Sequence, residues 1–230
     1  MDRATGEPGA RGRAYVPALG WDILTRLYDP LVRLTMPEER FRSRLLARSG
    51  LAPGARVLDL ACGTGSLTVL AARRAPGARW SGVDGDRRVL AIASDKAARA
   101  DARPVLVQGL AGALPFADTA FDRVLSSLFF HHLTSDQKPR ALAEAYRVTA
   151  PGGEIHNADW GPPRGRYARA AFAIVRLVDG RSTTSDNVEG RIPAMIEAAG
   201  FRLLGTPERI ATPFGTLELL SARKPATEEG

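Results

Sequence analysis

Hydrophobic and polar residues follow two alternating patterns between residues 51 and 223 of this chain. Short, continuous apolar runs are typical of strands that are buried on both faces of a parallel sheet. Between these runs, apolar residues recur at helical spacing, which predicts helices over about 66–74, from about 89 onward and over 136–149. The predicted strands are 56–61, 79–84, 104–108, 123–128 and 154–159. Strands that alternate with helices predict an α/β fold with a Rossmann-like parallel sheet and right-handed crossovers.

The pattern changes on both sides of this alternation. Near the end of the chain, residues 192–199 predict a helix, and residues 201–208 and 216–222 predict an antiparallel pair of strands. Residues 161–190 are an insertion with one apolar helical face, which predicts a lid over the carboxyl ends of the strands. At the other end, residues 15–50 predict an N-terminal helical cap, and the aperiodic residues 1–14 predict a disordered tail.

Composition narrows the function classes without naming one. The 230 residues, 44% of them hydrophobic and 25% charged, suit one soluble α/β domain at 51–223 with a small appendage. No run is long enough to span a membrane, and Cys62 is the only cysteine, so we expect a cytoplasmic protein without an intrachain disulfide. The net charge of +7 comes from scattered arginines, which favours a solvated surface over a nucleic-acid partner.

The first predicted strand leads into a glycine turn, Gly63-Thr64-Gly65, and then into a helix. Glycines permit positive φ angles and let a ligand approach the backbone, and ligands of open α/β sheets bind at the carboxyl ends of the strands. The run is not a dinucleotide fingerprint, because Thr68 stands where a small residue is required, and no P-loop lysine follows. The turn is therefore the first candidate ligand site.

Asp84 ends the second predicted strand, at the same edge of the sheet. A carboxylate in this place can accept hydrogen bonds from the vicinal hydroxyls of a ribose. The alternative is that it caps the following helix, although Asp86 is better placed to do so.

The run from Val57 to Leu67 resembles motif I of the class I S-adenosylmethionine-dependent methyltransferases. Leu114-Pro115-Phe116 and Pro151-Gly152-Gly153 also resemble the small-molecule branch typified by the C-methyltransferases of ubiquinone and menaquinone biosynthesis. The resemblance implies a seven-stranded sheet of order 3-2-1-4-5-7-6 with an antiparallel last hairpin. It also implies S-adenosylmethionine as cofactor and methyl transfer to carbon or oxygen of a small organic acceptor.

The resemblance further implies which residues bind the cofactor. Asp84 would bind the ribose, and Asp59, Ser126 and Tyr28 would contact the methionine part or its surroundings. The full predicted set is Tyr28, Asp59, Ala61, Gly63, Gly65, Asp84, Gly85, Gly109, Leu110 and Ser126. Leu110 departs from the family, which usually has an acidic residue there to bind the adenine amino group. The absence of this acidic residue removes one hydrogen bond to the adenine, worth roughly 1 kcal/mol.

Candidate acceptor residues lie in segments that should overhang the same edge. His131 and His132 follow the fourth strand, where either could take a proton from the acceptor near neutral pH, although a purely structural place at a helix entry is equally open. Trp21, Phe130 and Trp160 are predicted to line the acceptor pocket, with core packing as the alternative. No cluster of cysteines or carboxylates indicates a metal.

Two other functions stay open at this point. One is a protein that binds S-adenosylmethionine for regulation or for a reaction other than methylation. The other is a nicotinamide-dependent oxidoreductase, against which Thr68 and the terminal hairpin argue. The oligomeric state is also open.

Overall fold

The computed structural model describes residues 38–170 and 181–226. Trp21, Tyr28, the predicted tail at 1–14 and most of the predicted cap at 15–50 lie outside the described residues. The last part of the cap is helix α1, Glu38–Ser49. Phe41 and Leu45 repeat at helical spacing and are completely buried, so α1 packs its apolar face against the sheet.

Five parallel strands form the centre of the sheet, as the alternating pattern predicts. They are β1 Arg56–Leu60, β2 Arg79–Asp84, β3 Val105–Gln108, β4 Phe121–Ser127 and β5 Thr149–Trp160. Three antiparallel strands complete it: β6 Arg202–Leu203, β7 Glu208–Thr212 and β8 Gly215–Arg223. The order is β3-β2-β1-β4-β5-β8-β6, with β7 also paired to β8. The Rossmann-like fold class is confirmed.

The strand count differs from the prediction by one, because the predicted strand 201–208 does not form as a unit. Its first part is β6 and its last residue begins β7, and the two pair with successive parts of the same edge of β8. Gly205, with φ of +73°, and Pro207, which has no N–H to donate, lie between them. Both residue types interrupt a hydrogen-bonded ladder.

Helices cover both faces of the sheet, which accounts for the apolar strands. They are α2 Ser66–Arg74, α3 Arg87–Arg99, α4 Gln137–Val148, α5 Arg181–Val188 and α6 Ile192–Ala198. On one face, side chains of α4 and α6 pack against Leu58, Val124 and Ile155. On the other face, α1 and α2 pack against Val57 and Leu125.

This arrangement brings the carboxyl ends of the parallel strands to one edge. Leu60 of β1 is in register with Val83 of β2 and with Ser126 of β4, and Ser127 is in register with Ala158 of β5. A short 3₁₀ turn, Phe130–His132, follows β4 at the same edge and is called the His turn below. Within the described ranges, no helix is long and apolar enough to cross a membrane.

Candidate active site

The two glycines after β1, Gly63 and Gly65, have different structural roles. Gly63 has φ of +52°, and a Cβ atom added to it would meet nothing within 4 Å. Gly65 has φ of +72°, and its added Cβ would lie 2.9 Å from the Cβ of Ala93 in α3. Gly65 is therefore required for the close packing of α2 and α3. Gly63 leaves open space where a ligand can approach the backbone.

Asp84 lies beside this open space and is bonded to the glycine turn. Its Oδ2 accepts a hydrogen bond from the Gly63 N–H at 2.9 Å, and its Oδ1 accepts one from the Asp86 N–H at 2.9 Å. A carboxylate has about four acceptor positions, so both oxygens can still accept from a pair of hydroxyls. Asp86 caps α3 by accepting from the Arg88 N–H, which fills the capping role that was the alternative for Asp84.

Asp59 is almost completely buried and holds the start of α2. Its Oδ2 accepts a hydrogen bond from the Thr68 hydroxyl at 2.6 Å. Burial raises the pKa of Asp59 to about 6, although the bond from Thr68 works in the opposite direction. Thr68, which breaks the dinucleotide pattern, thus fixes the carboxylate under the turn, and the predicted contact of Asp59 with the methionine end stays a prediction.

Lys96 is a residue of this site that sequence reasoning missed. Its ammonium group reaches from α3 to the glycine turn, where it donates to Ser66 Oγ at 2.8 Å and to Thr64 Oγ1 at 3.1 Å. No local pattern in the sequence signals it, because its place one helical turn after Ala93 matters only once Ala93 packs on Gly65 in the fold.

The loop after β3 passes close to Asp84. The Gly109 N–H donates to the Asp84 carbonyl at 3.0 Å, and a Cβ at Gly109 would lie 2.7 Å from Cδ of Pro115. The next residue, Leu110, is 56% exposed, so its side chain can cover a flat ring. The two remaining predicted residues also lie along these turns: Ala61 has φ of +57°, and the Gly85 carbonyl accepts from Gln108 Nε2.

The end of β4 carries two buried hydroxyls, those of Ser126 and Ser127, that have no hydrogen-bond partner among the described residues. Ser126 has no exposed surface, and its Oγ makes no hydrogen bond within residues 38–170 and 181–226. A buried polar atom without a hydrogen bond is rare, and a polar ligand or an ordered water would supply the missing partner. Together with the open space at Gly63 and the carboxylate of Asp84, the Ser126 hydroxyl fits the polar groups of S-adenosylmethionine.

His131 is held by a buried carboxylate from the neighbouring strand. Its Nδ1 lies 2.6 Å from Oδ1 of Asp159, and its backbone N–H donates to Oδ2 at 3.1 Å. Burial alone would raise the pKa of Asp159, but the charge and hydrogen bond of His131 outweigh it and leave that pKa below its usual value. Asp159 is therefore a charged group that orients the imidazole ring.

His132 lies against His131 and is exposed, with 3.9 Å between the ring centroids. A charge on His131, followed by desolvation, lowers the pKa of His132. A charge on His131 therefore disfavours a second charge on the neighbouring ring of His132.

The predicted aromatic residues lie further inside. Phe130 is completely buried in the core beside α4, and it offers no surface to an acceptor. Trp160 is 5% exposed and meets the His131 ring edge-on at 6.4 Å between centroids. In the described part of the chain, no group of three or more His, Cys, Asp or Glu side chains could hold a metal ion.

Comparison with known proteins agrees with this geometry. A methyltransferase-domain family model matches residues 57–153, which include the glycine turn, Asp84 and the His turn. Demethylmenaquinone methyltransferase of Thermus thermophilus is 38% identical over 153 residues, which are 66% of this chain and 67% of the relative. An uncharacterized methyltransferase of Synechocystis is 30% identical over 186 residues, 81% of this chain and 84% of the relative.

Solved structures show the same fold. Phosphoethanolamine N-methyltransferase 2 of Haemonchus contortus, in complex with S-adenosyl-L-methionine, superposes with a TM-score of 0.67 at 20% identity, over 81% of this chain and 52% of that one. The chain described here is therefore a member of the class I S-adenosylmethionine-dependent methyltransferases and is related to the methyltransferases of quinone biosynthesis.

Proposed function

We propose that this methyltransferase acts on a small hydroxylated aromatic ring of the naphthoquinol kind, at carbon or oxygen. The single observation that carries the proposal is the Asp159–His131–His132 group, at the same edge of the sheet as the predicted cofactor residues. Removing a proton from a ring hydroxyl makes both the oxygen and the adjacent ring carbons nucleophilic. The relative from Thermus, named demethylmenaquinone methyltransferase, supports this acceptor class.

On the cofactor side, S-adenosylmethionine supplies a methyl group on a positively charged sulfur. The proposed work of the chain is to bind and orient. Asp84 accepts from the ribose hydroxyls, Gly63 lets the cofactor lie against the main chain, and Ser126 donates its unpaired hydroxyl. The proposed position of the adenine is over Leu110, where packing replaces a hydrogen bond.

On the acceptor side, the histidine pair takes the proton. In the neutral form, the proton of His131 is on Nδ1 and is donated to Asp159, which leaves Nε2 as the basic atom. His132 is the exposed ring of the pair and its pKa is lowered to about 3, so its proposed part is to contact the acceptor, while Nε2 of His131 takes the proton. Transfer from a sulfonium needs little covalent help, so orientation and proton removal are the two contributions expected from the protein.

The test is an assay with isotope-labelled S-adenosylmethionine and a panel of naphthoquinols and other hydroxylated aromatics, read by mass spectrometry. His131→Ala and His132→Ala should each lower turnover by roughly 10²–10⁴. Calorimetry with S-adenosylhomocysteine should show unchanged cofactor affinity in both variants. Wild-type turnover in both variants would mean that proximity alone drives the reaction, and no product from any panel member would refute the acceptor class.

We also keep a cytoplasmic location and the absence of a nucleic-acid partner as parts of this proposal. Several arginines form ion pairs with carboxylates rather than a basic strip on the surface. Examples are Arg56 with Asp122, Arg147 with Glu144 and Arg223 with Glu154. A gel-shift assay with DNA and RNA at moderate salt should show no complex.

A further inference from the structure

Lys138, in the first turn of α4, is a lysine with no exposed surface. Its ammonium group donates to the Leu133 carbonyl at 2.7 Å, to the Thr183 carbonyl at 2.6 Å and to Asp186 Oδ2 at 3.0 Å. An ammonium has three N–H groups, so each has an acceptor. Lysine is almost never fully buried unless it is paired, and this one joins three separate segments.

Asp186, in α5, is the charged partner of Lys138 and is 1% exposed. Its Oδ2 also accepts from Ser135 Oγ at 2.8 Å, and its Oδ1 accepts from Arg191 Nε at 2.8 Å. Burial alone would raise the pKa of Asp186, but the hydrogen bonds from Ser135, Arg191 and Lys138 together lower it below its usual value. Asp186 is therefore ionised.

Asp159 holds the middle of the His turn, and Lys138 holds the residue that follows it. In the middle, the His131 N–H donates to Asp159. At the exit, the Leu133 N–H closes the turn by donating to the Phe130 carbonyl at 3.1 Å, and the Leu133 carbonyl accepts from Lys138. The two histidines are thus held between two buried charged groups.

The same ammonium fixes α5. Thr183 and Asp186 both belong to this helix, which forms the last part of the insertion at 161–190. The next residue, Asn187, donates from Nδ2 to the Trp160 carbonyl at 3.1 Å, at the end of β5. Helix α5 is therefore attached both to the His turn and to the strand that carries Asp159.

We propose that Lys138 and Asp186 form a clasp that positions α5 against the His turn, and thereby sets how the acceptor is held, without either side chain touching a reactant. This inference rests on the proposed function for the acceptor side. Both are positioning residues. Loss of the clasp changes the acceptor KM and kcat and leaves cofactor binding unchanged, because neither Lys138 nor Asp186 contacts a predicted cofactor residue among those that the structure describes.

The first variant is Lys138→Met, which keeps an unbranched chain of similar length and removes the charge. With a naphthoquinol acceptor, kcat/KM should fall at least tenfold, with a higher acceptor KM. The dissociation constant of S-adenosylhomocysteine should stay within twofold of wild type. Amide hydrogen exchange over residues 181–188 should become faster, because α5 loses its attachment to the His turn.

The matched control is Glu154→Gln, which removes a carboxylate from a partly buried ion pair midway along β5, where Glu154 meets Arg223 and His156. It should lower the melting temperature without changing the acceptor KM or the exchange of 181–188. Wild-type kinetics and exchange in Lys138→Met would overturn the clasp, and so would behaviour equal to that of Glu154→Gln in every measurement.

If Lys138→Met does not fold, Asp186→Asn keeps the side-chain volume and leaves Lys138 its two carbonyl acceptors. The same changes in kcat/KM, in acceptor KM and in the hydrogen exchange of 181–188 are then expected, but each should be smaller. The unmodified protein gives a further test, because residues 181–188 should be protected from exchange as strongly as 130–133. Rapid exchange of 181–188 alone would overturn the clasp. Exchange requires no turnover, so a failure of methyl transfer in the unmodified protein refutes the proposed acceptor and leaves the clasp to be judged by exchange.

Discussion

The two halves of the sheet edge are built in different ways. In the cofactor half, formed by β1–β3, α2, α3 and the Ser126 end of β4, charged side chains bond to backbone or hydroxyl groups: Asp84 to the N–H of Gly63 and Asp59 to the hydroxyl of Thr68. In the acceptor half, formed by β5, the His turn, the start of α4 and α5, charged side chains bond to each other: His131 to Asp159, 28 residues apart, and Lys138 to Asp186, 48 residues apart.

The difference follows from what each half has to do. Backbone N–H groups are present whatever the side chains are, so a turn with the right φ angles is enough to approach a cofactor. A proton acceptor needs a side chain of tuned basicity in a fixed orientation, which requires buried partners from other segments. The two halves should therefore respond separately to substitution.

The largest expected effect is on the acceptor half. Asp159→Asn removes the charge that orients His131, so turnover should fall by about 10²-fold or more, since positioned general bases contribute 10²–10⁴. Steady-state kinetics with a naphthoquinol measures the loss, and calorimetry with S-adenosylhomocysteine should show wild-type affinity. A weakened cofactor affinity in this variant would contradict the claim that the two halves respond separately to substitution.

The second effect is on the cofactor half. Asp84→Ala removes a carboxylate that we expect to accept from the ribose hydroxyls, and such charged hydrogen bonds are worth about 1.5–3 kcal/mol. The dissociation constant of S-adenosylhomocysteine should rise about tenfold or more, as measured by calorimetry. Asp84→Asn is the matched control, since it keeps the shape and one acceptor oxygen. If the affinity of the folded Ala variant equals that of wild type, the ribose is bound elsewhere.

The third effect is on stability and depends on pH. Burial raises the pKa of Asp59 to about 6 in the folded protein, above its value in the unfolded chain, so the folded state binds more protons between about pH 4 and 6. This contribution to stability is present at low pH and is lost as the pH rises through that window. Asp59→Asn cannot titrate, so its stability relative to wild type should improve from pH 4 to pH 7 by about 2 kcal/mol.

Chemical denaturation of both proteins across this range measures the difference. Thr68→Val is a useful companion, because it removes the hydroxyl that opposes the rise of the Asp59 pKa. A constant difference between wild type and Asp59→Asn at all pH values would mean that Asp59 keeps an ordinary pKa.

The smallest effect tests the adenine side of the cofactor half. Leu110→Asp supplies an acceptor for the adenine amino group, so cofactor affinity should improve about fivefold, the worth of one hydrogen bond of ~1 kcal/mol. Leu110→Asn controls for size without the charge. Unchanged affinity in Leu110→Asp, measured by calorimetry, would place the adenine away from this exposed loop.

The sequence predicted the cofactor half better than the acceptor half for a physical reason. The strand, the glycine turn and Asp84 are close together along the chain, and each is signalled by residue type alone. Gly65 is an exception, because its contact with Ala93 depends on how two helices pack. The five parallel strands were also predicted, since continuous apolar runs mark strands covered on both faces.

The acceptor half depended on tertiary contacts that no local pattern reports. Lys138 looks like a surface residue at the start of a helix, and only the fold shows that it has no exposed surface. Phe130 was predicted in the pocket, but its side chain lies in the core, because the His turn points that ring inward. The prediction of Trp21 and Tyr28 as contacts stays untested.

Strand β8 has a consequence for how this molecule is made. It lies between β5 and the short strands β6 and β7, and its side chains are buried along nearly all of its length. It is also the last of the described strands, and its register partners on β5 lie about sixty residues earlier; His156, for example, bonds Ser221. During synthesis on the ribosome, the edge of β5 that pairs with β8 is therefore made well before its partner strand and after the cofactor half. An unpaired strand edge favours aggregation, so a chaperone that covers β5 would act in this interval.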